Sequence, residues 1–198
     1  YAEALVEARR AHALDAYLVT EADLLDREIR TLLLQERFER SWTLCRAARA
    51  EYPDDLRFLQ CELNLLARDG GAPADTALAR SVMAKLEEME PRRQAGVAGR
   101  SYSPVYNRLM LAALLVRAGA RDSARAELAR ARADAAPDGE SRVALAYDEA
   151  YVLLMLGDRD GARARLDAYL AARPAVRPFL ARDPLFRTLV SEKGAGTP

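Results

Sequence analysis

The chain has 198 residues, 51% hydrophobic and 30% charged, which is too apolar for a disordered chain and long enough to bury a core. Thirty basic residues balance thirty acidic ones with the signs interleaved, so there is no continuous positive face to hold a nucleic-acid backbone. No apolar run nears the roughly 20 residues a membrane-spanning helix requires, which argues against membrane insertion, and the start YAEALVEARR lacks a signal-peptide layout.

Ala, Leu and Arg dominate and period-two β-branched runs are missing, so the fold class expected is all-α. Arginine outnumbers lysine 28 to 2, which reads as codon bias spread over solvated helix faces. Tyr1 is not Met, so the sequence reads as a fragment or a processed product. A cytoplasmic setting is favoured, and an extracytoplasmic one stays open if a signal segment was removed before Tyr1.

One frame organises the chain: a small residue, another helical position seven on, and a proline five further. Residues 1–18 fit the frame as a lone second helix, with Ala4, Ala11 and Ala16 in place; without a first helix it leaves Leu5, Ala8 and Leu14 uncovered. The first pair spans about 22–55, with Ser41, Ala48 and Pro53 in frame, and the second about 56–91, with Ala79, Leu86 and Pro91. A basic, Gly-rich segment, 91–103, follows; it reads as a surface insertion or as a contact loop offering Arg92, Arg93 and Arg100 to an acidic partner.

Ser103–Pro104 opens the third pair, about 105–138, with Ala124, Ala131 and Ala136–Pro137 in frame. The fourth, about 143–174, carries Ala162, Tyr169 and Pro174. Small residues let paired helices approach, Gly119 and Gly157 suit left-handed helix ends, and proline stops each second helix. A capping helix is expected over 175–191, started at Asp183–Pro184 and covering the last pair with Phe179, Leu180, Leu185, Phe186 and Leu189; residues 192–198 read as a flexible tail.

Residues 36–55, ERFERSWTLCRAARAEYPDD, and 157–174, GDRDGARARLDAYLAARP, resemble the second half of tetratricopeptide (TPR) units, in which an aromatic residue, two alanines and a terminal proline recur at these spacings. The RDPLF stretch is similar to endings that follow TPR arrays in multi-domain bacterial signalling proteins. The resemblance implies one domain over 1–191: a right-handed superhelical array of antiparallel helix hairpins, a TPR-like α-solenoid, with a C-terminal capping helix. The first-helix signature of the family is weak here, with Leu111–Ala112 as its nearest substitute.

In such a stack the first helices line a concave wall, and residues four apart share a stripe. The stripes expected are Asp26, Arg30 and Leu34; Gln60, Asn64 and Arg68; Leu109, Ala113 and Arg117, with Tyr106 on the same helix; and Tyr147, Tyr151 and Met155. Arg30, Asn64 and Arg68 suit a carboxylate, and the tyrosines suit either apolar anchoring of a partner or plain inter-helix packing. The resemblance implies a bound peptide or partner helix on that wall; Asn64 with its arginines is similar in part to the family's carboxylate clamp, whose lysine is missing.

Chemistry has few carriers: one histidine, His12, and no metal-ligand spacing, phosphate loop or nucleophile motif, so no enzyme, cofactor or metal is expected. Glu87, Glu88 and Glu90 read as a solvated helix end. Cys45 lies eight residues before Pro53 and Cys61 eight after it, which brings them level on adjacent helices; buried free thiols are the expectation, with a disulfide geometrically open. Two functions follow: a protein-binding scaffold using the wall, alone or as the C-terminal regulatory part of a larger protein, or a structural subunit of a homo- or hetero-oligomeric assembly packing through its N-terminal helix or convex face.

Overall fold

The computed structural model describes residues 2–14, 20–94, 104–134, 139–181, 183 and 185–191, and every regular element among them is helical. Tyr1, Ala16, Arg100, Ser103, Ala136, Pro137, Pro184 and the 192–198 tail lie outside the described residues, as do the side chains of Ala4, Leu5, Ala8, Glu90, Arg92, Arg93 and His12. The chain gathers into two compact units, Tyr1–Tyr102 and Ser103–Pro198.

Unit 1 contains α1 (Ala2–Leu14), α2 (Glu21–Leu34), α3 (Phe38–Glu51), α4 (Leu56–Arg68) and α5 (Thr76–Gln94). Helix α2 folds back on α3 and α4 on α5, α3 also packs on α4, α2 lies beside α4, and α1 rests on α2. Thr20 starts α2 with a reciprocal capping box: its hydroxyl accepts from Asp23 N at 3.2 Å while the Asp23 carboxylate accepts from Thr20 N. Asp55 caps α4 by accepting from Arg57 N at 3.0 Å. Ser41, the one polar member of the small-residue frame, is wholly buried and donates to Ile29 O across the α2–α3 seam at 3.2 Å. Around it Ile29, Ala48, Phe58 and Leu65 form a core edged by Trp42 and Tyr52.

Two expectations change here. Helix α5 runs past Pro91 to Gln94 instead of stopping there. Proline inside a helix loses its own N–H bond and crowds the carbonyl four residues back, a cost and not a prohibition, and here the helix continues beyond it to Gln94. The cysteines are not free: Cys45 and Cys61 are disulfide-bonded, with Cα atoms 6.1 Å apart. The favoured free-thiol reading rested on cysteine packing as a small hydrophobe, and packing does bury both; helix pairing then brings their backbones within bridging distance.

Unit 2 contains α6 (Pro104–Arg117), α7 (Arg121–Asp134), α8 (Gly139–Met155) and α9 (Arg159–Ala172), then a 3-10 turn (Pro174–Val176), α10 (Arg177–Leu180) and α11 (Arg187–Ser191). Helices α6 and α7 pair, α8 and α9 pair, and α6 lies beside α8. Pro104 takes the first position of α6, where no N–H is needed. Gly119 and Gly157 end α6 and α8 at φ 78° and 82°. In both corners the next N–H reaches back to the helix, Ala120 N to Leu115 O and Asp158 N to Leu153 O. Ala124 and Ala162 are fully buried, like Ser41 and Ala79 in unit 1, so all four frame positions sit where a second helix meets its first.

The C-terminal cap is two short helices, not one. Leu180, Phe186 and Leu189 are buried as expected of a cover, whereas Phe179 and Leu185 face outward. Val190 is buried beside them, and because the chain turns between the two short helices, Phe179 and Leu185 do not share the buried face.

Candidate functional site

The expected wall separates into exposed and interior residues. On α2, Arg30 is exposed and pairs with Asp26 one turn earlier at 3.0 Å, and Leu34 is 49% exposed at the helix end. On α4, Asn64 and Arg68 are half-buried, but Gln60 is only 2% exposed and belongs to the interior. In unit 2, Tyr106 and Arg117 are half-buried, Leu109 and Ala113 are buried, and Tyr151 is 5% exposed. Helices α4, α6 and α8 bury residues on nearly every face, so a stripe four residues apart does not mark an open surface there.

Tyr147 is half-buried and engaged within unit 2. Its hydroxyl donates to Asp183 Oδ2 at 3.0 Å, its ring meets the edge of Phe186 at 5.0 Å and lies 5.9 Å from Tyr169. Asp183 also accepts from Leu185 N at 2.9 Å, so one carboxylate both turns the chain and holds the cap on α8.

Charge is organised more closely than the scattered sequence implies. The Glu28 carboxylate of α2 receives Arg9 from α1 and Arg40 from α3. Glu149 of α8 receives Arg132 from α7 and Arg165 from α9, and Glu62 of α4 receives Arg49 from α3. These glutamates are largely buried while several of their arginines reach solvent, a pairing of fork-shaped cations with carboxylates that lysine does not reproduce. The sequence reading assigned the arginines to solvated faces and missed this; the signal was a glutamate six residues before the last residue of α2, α4 and α8.

Two further polar clusters join elements of unit 1. Arg57, at the start of α4, pairs with Asp55 and with Asp23 of α2. Partial burial would raise the Asp23 carboxyl, but hydrogen bonds from Thr20 and Arg57 outweigh it and hold the group below its ordinary value. The hydrogen-bonded Asp55 carboxylate, with Asp23, holds the Arg57 proton more tightly than usual, against burial. Asp69, buried at the end of α4, accepts from Trp42 Nε1 at 2.9 Å and from the Gly71 and Ala72 amides at 2.8 and 3.2 Å.

Among the described residues no three His, Cys, Asp or Glu side chains gather as a metal-holding group, and no helix is long and apolar enough to cross a membrane. Comparison with protein-family models, with curated proteins and with solved structures finds no match to this chain.

Proposed function

We propose that the chain is a TPR-like helical-repeat scaffold, a right-handed superhelical stack of hairpins, that binds an extended peptide or a partner helix and performs no catalysis. The observation that carries this reading is the side-by-side packing of first helices within each unit, α2 beside α4 and α6 beside α8, on hairpins whose second helices bring a fully buried small residue to the seam. That arrangement favours a wall built from first helices. With Gln60 and Tyr151 interior and Tyr147 engaged by Asp183 and Phe186, the candidate contacts are Arg30, Leu34, Asn64 and Arg68 on the wall of unit 1 and, taken by itself, Tyr106 and Arg117 on that of unit 2. Their chemistry favours a peptide carrying carboxylates beside apolar side chains.

Selection of a random dodecapeptide display library on the full chain tests this. Enriched peptides should be acidic and should bind about tenfold or more weakly to Arg68→Ala or Arg30→Ala, as expected for loss of a charge-assisted hydrogen bond, with melting unchanged. No enrichment, or equal binding to the variants, would overturn the reading.

A second reading, self-association through α1, has its own support: Leu14 is 88% and Val6 54% exposed on a helix that rests on α2. Leu14→Asp should then dissociate an oligomer seen by sedimentation; a monomeric parent chain rules this reading out.

A further inference from the structure

We propose that the Cys45–Cys61 disulfide is a buried structural lock between the first and second hairpins of unit 1, so that this unit has its full stability only in an oxidising environment. The bond is not within a hairpin: Cys45 is on α3, the second helix of one pair, and Cys61 on α4, the first helix of the next. It therefore ties together the two elements whose association adds one pair to the other.

Three features make it a lock and not an exchange-active pair. Both residues are buried, Cys45 fully, among Ile29, Ala48, Phe58 and Leu65, where a thiolate would be poorly solvated. The Cα separation of 6.1 Å lies inside the range that a disulfide spans without moving the backbone. The bridge joins residues 16 apart through the turn at Tyr52–Asp55, so it closes a loop of definite size in the unfolded chain and removes its conformational freedom. Beside it Arg49, one turn after Cys45, pairs with Glu62, the neighbour of Cys61, so the same seam is held covalently and ionically.

The chemistry is an exchange with an external disulfide before the core closes. The thiolate of one cysteine attacks that disulfide, expelling one thiol and leaving a mixed disulfide. The second cysteine thiolate then attacks the first cysteine's sulfur and expels the other thiol; the two electrons and two protons leave as two external thiols. A reducing compartment runs the exchange backwards on newly made chain, and an oxidising one sustains it. This favours an extracytoplasmic setting over the cytoplasmic one favoured from sequence, and it stands independently of the binding reading.

The test uses the full chain purified without reductant. Denatured in iodoacetamide, it should take up no label and weigh about 2 Da less than the reduced chain; two labelled cysteines would overturn the proposal. Native-state reduction by dithiothreitol should reach a rate ceiling as reductant is raised, because opening of the core limits it; a rate that climbs linearly without a ceiling would count against a buried lock. Hydrogen exchange should then run about a hundredfold faster over 38–68 in the reduced chain than in the oxidised one, with 104–134 unchanged. Equal exchange over 38–68 in both forms overturns the lock. A Cys45→Ala/Cys61→Ala chain should match the reduced form; if it does not fold, the labelling and mass results decide alone.

Discussion

Arg165 of α9 lies 3.0 Å from the Glu149 carboxylate of α8, whose second oxygen takes Arg132 of α7. One buried carboxylate thus joins its own hairpin partner to the preceding hairpin, and Glu28 does the same between α1, α2 and α3. In α6 the corresponding place is Leu111, which is also buried, so the position tolerates an apolar group of similar size.

That comparison sets the first prediction. Glu149→Ala should destabilise the chain by about 2 kcal/mol, because it leaves two arginines facing a gap. Glu149→Leu should cost less than about 1 kcal/mol, since an apolar side chain removes the desolvation of the carboxylate along with the pair. Urea unfolding measures both; a leucine variant as unstable as the alanine one would show that the ion pair, not the filled space, matters.

The three short corners at Glu36, Gly119 and Gly157 share one backbone. Arg37 N reaches Leu32 O at 2.9 Å just as Asp158 N reaches Leu153 O, but Glu36 adopts φ 57° where the other corners carry glycine. Glu36→Gly should therefore stabilise by about 0.5–1 kcal/mol, the relief of a left-handed side-chain residue less the added freedom of unfolded glycine. Gly157→Ala should lose about 1 kcal/mol or more.

Ala162 and Ala124 have no exposed surface, and each faces a first helix. Replacing Ala162 with leucine should overpack the α8–α9 seam and lose about 1–3 kcal/mol. The same change at Ala164, exposed on the other side of α9, should be neutral within about 0.5 kcal/mol. Thermal melts of the pair separate burial from helix propensity.

Asp23 is held below its ordinary value in the folded chain, so its contribution to stability is present above the unfolded value of about 3.9 and is lost as acid takes the pH down through the lower folded value. The urea midpoint of Asp23→Asn should lie below that of the parent at pH 6, and the gap should close as pH falls below about 4. Because the side chain is well exposed to water, the gap should stay under about 1 kcal/mol. A gap that widens in acid would reverse the sign.

Helix pairing was legible because it depends on spacing. Ser41, Ala79, Ala124 and Ala162 recur where two helices must approach, and all four are buried. Gly119 and Gly157 marked corners, since few other residues adopt positive φ without strain. Pro91 misled, because a proline that usually ends a helix here sits inside one.

The candidate wall was less legible. A stripe four residues apart identifies one face of a helix but not what covers it, so Gln60 and Tyr151 shared a pattern with exposed Arg30 although they are interior. Tyr147 likewise found partners in Asp183 and Phe186, more than thirty residues along the chain, which no local spacing encodes.

Sequence by itself determined the all-helical class and the order of helix pairs, because propensity, small-residue spacing and corner glycines act over a few residues. Tertiary packing alone decided which arginine meets which glutamate, which polar residues are buried, and that Cys45 and Cys61 are bonded. Those outcomes depend on distances between elements far apart in the chain, and such distances exist only once the helices have come together.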